Sequence, residues 1–502
     1  MKLFTAEQIR EWDQFTIENE PVPSLNLMER ASLAFTEWFT HYFNDKNNDI
    51  TLFCGVGNNG GDGLAIARLL RDRFYNVTVW VCGDIEKATP DFKINLVRIK
   101  NLGDIAVKYA DPEQKISENI STDIVIDALF GTGIKRPLTG GWAELILFIN
   151  SLKAVRVAVD LPSGMPADGI CSGPCIIADH TCSFQIPKLS FLRSENAVYT
   201  GHCHIVDIGL SKDFALNTIT EYFMADTDMI GQKIKRRKTF DHKGSYGHCL
   251  IVAGAKGKSG AAVLSSAACL RTGTGLVTTL TSDAGLNPLQ SYIPEVMVYT
   301  AGKDKLVNMQ APDIQYNALA IGPGIGTDPE TVNALEALLI TNKFPIVLDA
   351  DALNILSANK RMFKLLKPKS IITPHPKEFD RLFGLSVNSQ ERLNLQIAKA
   401  KEFNIIIVLK GAYTSTVLPD GQVYFNSTGN PGMATAGTGD VLTGIIGGLL
   451  AQHYTPEDAA VTGVFLHGLA GDLALEHQSM ESVIASDIIQ YLGKAYRSVL
   501  NP

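Results

Sequence analysis

The sequence predicts an α/β protein of two domains, each built on a parallel sheet covered by helices on both faces. Three observations carry that expectation. Short β-branched runs alternate with helical spacings, and they do so twice along the chain. Each series opens with a buried-looking strand, a glycine-rich turn and a helix. The chain, at 502 residues, is also longer than one ordinary domain of about 100–200 residues.

Composition narrows the class. Hydrophobic residues make up 45% and charged residues 19%, enough apolar surface to build large cores. A formal net charge of -7 gives no global reason to expect nucleic acid or a membrane surface as partner. The start, MKLFTAEQIREWDQ, is polar and amphipathic and lacks the apolar core of a signal peptide. No apolar run reaches spanning length, so a soluble, cytoplasmic protein is expected. Of the eight cysteines, Cys54 and Cys82 lie in apolar strand-like runs and read as small core hydrophobes. The spacing of Cys171, Cys175, Cys182 and His202-Cys203-His204 fits no common zinc motif, which favours packing there as well.

In the first half, Thr5 to Phe43 is helical in period and interrupted near Pro21 and Pro23. Ile50 to Cys54 follows as a strand, Gly55 to Gly63 as a glycine loop and Leu64 to Arg73 as a helix. Val77 to Val81, Ile124 to Asp127, Val155 to Asp160 and His204 to Ile208 complete the strands. The polar stretch after Ser211 and the basic run Gly231 to Lys238 separate the halves, with domains expected at 1–225 and 226–502. The basic run reads as a solvated face. In the second half, His248 to Ala253 is a strand, Gly254 to Gly260 a loop and Ala261 to Thr272 a helix. Strands at Leu276 to Leu280, Ala318 to Ile321, Ile346 to Asp349, Ile371 to Thr373 and Ile405 to Leu409 follow. Their loops carry Gly, Asp, His or Lys, and in open α/β sheets ligands lie beyond the carboxyl ends of the strands.

Three loops carry chemistry by composition. Asn430 to Asp440 places Gly437 and Gly439 just before the apolar run Val441 to Leu450. Bare amides at a helix start make an anion cradle, and Asp440 could take a proton from a hydroxyl beside a phosphate. An Asp N-cap on a glycine turn explains the same residues. Gly55 to Gly63 has the context of a pyrophosphate loop, but Asn58, Asn59 and Asp62 add polar groups that suit a sugar hydroxyl or a cation too. Asp127 precedes the turn Gly131-Thr132-Gly133, and Asp160 precedes Ser163. Oxygens of Asn59, Asp127 and Ser163 would suit a hard cation, with Asp160 as a proton-transfer group. His375, fixed between Pro374 and Pro376, favours ligand contact, whereas Asp349 and Asp351 fit either nucleotide binding or helix capping. His41, His453 and His467 read as packing or surface groups.

Taken together, GNNGGDG, DALFGTG and VDLPSG resemble the NAD(P)H-hydrate epimerase family, the YjeF N-terminal domain. AGAKGKSGAA, IGPGIG, LDADAL, TPHPKE, LKGAYT and NPGMATAGTGDVLTG resemble the ADP/ATP-dependent NAD(P)H-hydrate dehydratases, which are similar to ribokinase-like kinases. The resemblance covers nearly the whole chain. It implies a Rossmann-like amino-terminal sheet and a ribokinase-like carboxy-terminal domain, acting on hydrated NADH or NADPH and an adenine nucleotide. In the epimerase it implies substrate contact by Asn58, Asn59, Gly60, Gly61, Asp62, the loop Gly131, Thr132, Gly133, Ile134, Lys135, Arg136 and Pro137, and Asp160. Potassium would be held by Asn59, Asp127 and Ser163. In the dehydratase, Ala261, Gly324, His375 and Asp440 would line the hydrate site. Lys410, Gly411, Ala412, Tyr413, Thr414 and Gly439 would hold ADP or ATP with magnesium. Asp440 and Asp160 are the expected catalytic residues, and a homo-oligomer is expected.

Two departures from the family pattern are Ala436 and Lys377, where glycine is usual. The competing reading is a ribokinase-like small-molecule kinase fused to a non-catalytic Rossmann-like binding module. Asn59, Asp127 and Asp160 together weigh against a scaffold role, which needs neither cation nor proton-transfer groups.

Overall fold

Glycines set how closely the first helix meets its sheet. The strand Asp49–Gly55 runs straight into the helix Asn58–Asp72, so most of the expected loop is already helix. A Cβ at Gly60 would lie 1.6 Å from the Gly55 carbonyl oxygen, and one at Gly63 would lie 2.5 Å from the Ala128 Cβ. The glycines therefore bring helix and sheet together rather than extending a turn. In the computed structural model, residues 1–20, 22–114, 120–310 and 314–501 are described; Pro21 lies outside them.

The chain divides into two compact units, one of residues 2–220 with 388–390, the other of residue 1, 221–387 and 391–502. The changeover precedes Asp226 because Tyr222–Ala225 is a strand paired to Val423–Asn426.

The amino-terminal unit is a seven-stranded parallel sheet. Its order is Ala106–Ala110, Asn76–Cys82, Asp49–Gly55, Ile124–Ala128, Val155–Val159, His180–Phe184, His202–Val206. Order reverses around Asp49–Gly55 and Ile124–Ala128, the topological switch point where such sheets open a crevice. Leu52, Cys54, Ile126, Val157 and Val159 pack one face against Phe35, Phe39, Leu64 and Phe92. Phe53, Val125 and Ala158 pack the other against Leu145, Ile146 and Ile149.

The carboxy-terminal sheet runs Met297–Thr300, Leu276–Thr281, His248–Val252, Ala318–Ile321, Val347–Leu348, Ile371–Ile372, Ile406–Leu409, Ser415–Val417, Val423–Asn426 and Tyr222–Ala225. All neighbours from Met297–Thr300 to Ile406–Leu409 are parallel; Ser415–Val417 pairs antiparallel on both sides. The apolar run after Asp440 is the helix Thr438–Ala451, buried from Val441 to Ala451 against Cys249, Ile251, Ala268 and Ile488. In the basic run, Lys233 pairs with Asp458 at 2.5 Å, while Lys235 to Lys238 are exposed. No helix among the described residues is long and apolar enough to cross a membrane.

Candidate active sites

The carboxy-terminal site is assembled at the strand ends. Gly437 caps the helix Thr438–Ala451 with φ of 89°, a left-handed conformation that favours glycine. Asp440 therefore stands in the first helical turn, and its side chain caps nothing. Burial and the neighbouring Asp349 push its carboxyl up to about 7, against partial relief from Lys410. That is the range a general base needs near neutral pH.

Asp349, 1% exposed at the end of Val347–Leu348, accepts from Lys410 Nζ at 2.9 Å and from Thr443 Oγ1 at 2.8 Å. Lys410 leaves the strand Ile406–Leu409 and reaches back beside Gly439, where a Cβ would meet its Nζ at 3.3 Å. Lys410, Asp349, Gly439 and Asp440 thus form one cluster. Gly411 to Thr414 follow Lys410 directly and make the turn of a hairpin, closed by Thr414 Oγ1 on the Gly411 backbone. Asp351 accepts from Lys258 Nζ and from Gly326 N, each at 2.9 Å. Neither Asp349 nor Asp351 caps the helix Asp351–Ala358; its cap is Ala350, strained at φ 49°.

Ala261 and Gly324 do meet: a Cβ on Gly324 would lie 3.3 Å from the Ala261 Cβ and 2.8 Å from that of Lys258. His375 has a structural task. Its Nδ1 accepts from Lys377 N at 3.1 Å and its own N–H is taken by Glu378, a capping box for Pro376–Phe383. The cap fixes the neutral tautomer with the proton on Nε2, which lies 3.6 Å from Glu378 Oε1. Lys377 enters through its backbone, and its side chain is exposed.

In the amino-terminal site, Asp127 is fully buried at the end of Ile124–Ala128. It accepts from Ser163 Oγ at 2.6 Å, Ser163 N at 2.7 Å and Leu129 N at 3.2 Å. Burial raises it to about 6, and these donors only partly offset the rise. No basic side chain among the described residues pairs with it. Asn59 lies against Gly131, and its buried amide nitrogen has no partner among the described residues. The buried Asp127 carboxylate, held by three donors and no cation, could take a monovalent ion, whereas the unsatisfied Asn59 nitrogen is a donor and calls for an acceptor such as a ligand oxygen. Lys135, Arg136 and Pro137 are exposed on the loop that follows.

Asp160 ends Val155–Val159 at φ 65°, an uncommon conformation for a side-chain-bearing residue. Its Oδ1 takes Lys188 Nζ at 2.7 Å, Phe184 N at 3.0 Å and Ser183 Oγ at 3.2 Å. Lys188 is 1% exposed and also donates to the Phe184 carbonyl at 2.9 Å. Asp62, in the first turn of Asn58–Asp72, is pushed well above the carboxylate range by burial and then by Asp160, Asp13 and Asp91.

Residues 249–494 match the family described as NAD(P)H-hydrate dehydratase, and residues 24–190 match the family described as YjeF-related protein N-terminus. A bifunctional NAD(P)H-hydrate repair enzyme of Moorella thermoacetica is 37% identical, over 99% of this chain and 97% of its own. The chain belongs to this family. A second repair enzyme, from Vibrio cholerae, is 36% identical over 99% of this chain and 98% of its own. Among solved structures, a ribokinase-like superfamily protein of Enterococcus faecalis matches 57% of this chain and 99% of its own, at 29% identity and a TM-score of 0.50.

The structure brings into these two sites four residues that sequence reasoning did not assign to them. Lys188 was signalled by a lone lysine in the apolar run Ile186 to Leu192, and Asp13 by a charge beside the apolar stripe Ile9, Trp12, Thr16. Thr443 lies one turn beyond Asp440 and carried no signal. His467, read as packing, bonds the Thr438 carbonyl through Nε2 at 3.0 Å and anchors the start of the Asp440 helix. Burial holds its imidazole down to about 4.

Proposed function

We propose that the chain repairs hydrated NADH and NADPH in two steps. Residues 1–225 interconvert the R and S epimers, and residues 226–502 dehydrate the S epimer using ADP or ATP. Hydroxide is a poor leaving group, so the ring hydroxyl is first phosphorylated and phosphate then departs as the ring double bond returns. Asp440 takes the hydroxyl proton, and the amides of Gly437 to Gly439 stabilise charge on the transferred group.

The observation that carries the reading is the near-neutral Asp440 carboxyl beside the Lys410–Asp349 pair. Because Asp349 and Asp351 are both engaged by lysines, magnesium would arrive held chiefly by nucleotide phosphates and water. Potassium would lie among Asn59, Asp127 and Ser163, compensating the buried Asp127 charge. A cytoplasmic homo-oligomer belongs to the same reading.

Incubating the full chain with mixed epimers and either nucleotide tests it. Full recovery of reduced-cofactor absorbance, with release of free phosphate, is expected. A stable phosphorylated product would instead mark a small-molecule kinase. Recovery of only one epimer would limit the proposal to the carboxy-terminal half.

A further inference from the structure

The amino-terminal site contains two acids, Asp62 and Asp13, that an Asp160-only mechanism leaves unused. Asp13 stands on the helix Ala6–Asn19 next to its buried stripe Ile9, Trp12 and Thr16. Ile9 and Trp12 pack with Leu27, Ala31 and Ile186, which brings Asp13 within electrostatic reach of Asp160 and Lys188. Its carboxyl has no hydrogen-bond partner among the described residues. Burial, and then Asp160, raise it to about 7, with partial relief from Lys188.

Asp160 contrasts with it. All three of its donors, Ser183, Phe184 and Lys188, converge on Oδ1. Its Oδ2 accepts from none of the three. One carboxylate is thus clamped by a buried lysine, and the other can hold a proton at neutral pH.

The chemistry of the substrate calls for two such groups. Water adding to an enamine places its hydroxyl on the carbon bonded to nitrogen. Inverting that carbon means breaking and re-forming either its C–O or its C–N bond. The C–N route keeps the oxygen in place and needs one group to take the hydroxyl proton and another to give a proton to nitrogen. We propose that Asp13 is a second catalytic residue of the epimerase, protonating the ring nitrogen while Asp160 deprotonates the hydroxyl. As Asp160 Oδ2 takes the hydroxyl proton, the C–O bond becomes a carbonyl, the C–N bond breaks, and the nitrogen receives the proton of Asp13. Rotation about the adjacent C–C bond turns the other face of the aldehyde to the nitrogen. Ring closure returns one proton to Asp13 and the other to oxygen from Asp160. Nothing is oxidised or consumed. This rests on the epimerase reading of the amino-terminal half.

The test uses the full chain and purified R epimer of hydrated NADH, with the epimer ratio followed by chromatography between about pH 5.5 and 8.5. Asp13→Asn should lower kcat about 100-fold or more while KM stays within about threefold, and should abolish the fall in rate above neutral pH. Asp13→Glu should restore part of kcat together with that limb. Unfolding followed by tryptophan emission, which comes only from Trp12, Trp38, Trp80 and Trp142 of the amino-terminal half, reports whether each variant is folded. The charged groups facing Asp13 are Asp160 and Lys188, with Asp62 and then Asp91 beyond. Asp62→Asn is therefore run alongside and must keep the limb. Wild-type kcat in Asp13→Asn, persistence of the limb there, or its loss in Asp62→Asn would overturn the assignment. Should Asp13→Asn fail to fold, wild-type kcat and an unmoved limb in Asp13→Glu would overturn it equally. A wild-type chain that does not epimerise would sink the reading of the domain itself, a distinguishable result.

Discussion

Replacing Asp440 by Asn should stop dehydration and, at the same pH, stabilise the carboxy-terminal unit. The carboxyl is raised from 3.8 to about 7, chiefly by burial and by Asp349. At 1.36 kcal/mol per pH unit, keeping it charged above neutrality costs on the order of 4 kcal/mol. The folded chain holds this proton more tightly than the unfolded chain, so stability declines as pH rises from about 4 to about 7. Between pH 6 and pH 8 the wild type should lose about 1.4 kcal/mol that Asp440→Asn keeps. His467, held near 4, acts in the opposite direction but equally in both proteins, so their difference isolates Asp440. After the amide's own desolvation, a net gain of about 1–3 kcal/mol is expected at pH 8. Trp12, Trp38, Trp80 and Trp142 all lie in the amino-terminal half, so tryptophan emission is silent on this unit. The transition to compare is the one that far-ultraviolet circular dichroism detects and tryptophan emission does not. Dehydration of the S epimer should fall about 10²–10⁴-fold while epimerisation continues. A variant less stable than wild type at pH 8, or one within tenfold of its rate, would refute the reasoning.

Lys188→Met should destabilise the amino-terminal unit by about 3–5 kcal/mol, because Asp160 is left without its buried cation. Unfolding followed by tryptophan emission measures this, and adding Asp160→Asn should recover much of the loss. Gly60→Ala should cost about 3 kcal/mol or more, since its Cβ would press on the Gly55 carbonyl, with reduced soluble yield as the first sign. Exchanging potassium for choline should lower epimerisation but not dehydration, and Asp127→Asn should remove that dependence. Because burial raises Asp127 to about 6, potassium-dependent protection against unfolding should weaken as pH falls through that value.

The parallel strands were legible because fully buried strands read as short β-branched runs, as Ile124–Ala128 and Ala318–Ile321 do. Sequence reading omitted the interior strand His180–Phe184, whose buried Thr181, Cys182 and Ser183 make no apolar run, and otherwise strands toward the flanks of the sheets. Ala106–Ala110 and Met297–Thr300 are edge strands with exposed residues, and Ser415–Val417 and Val423–Asn426 form an antiparallel extension. Neither presents a continuous apolar run of useful length. Asn58 was taken for loop because glycines normally break helices, yet here Gly60 and Gly63 are the only residues thin enough for the helix to meet the sheet. Strand-end residues such as Asp127, Asp160 and Asp349 were visible by position. What each bonds to was not.

That missing information is what gives the acids their character. At both strand-end clusters a lysine is committed to one carboxylate, Lys410 to Asp349 and Lys188 to Asp160, and a second carboxyl nearby is left without a partner. Asp440 and Asp13 are among the acids so left, and each is pushed up to about 7 by burial and by the paired acid beside it. Neighbouring titratable groups held in different states are how a site obtains a proton holder and a charged partner at one pH. In the chain, Lys410 and Asp349 are 61 positions apart, and the pairing exists only once parallel strands bring their ends together. Composition can announce an aspartate in a glycine turn. Only the lysine's choice of partner decides whether that aspartate is a spectator charge or a base.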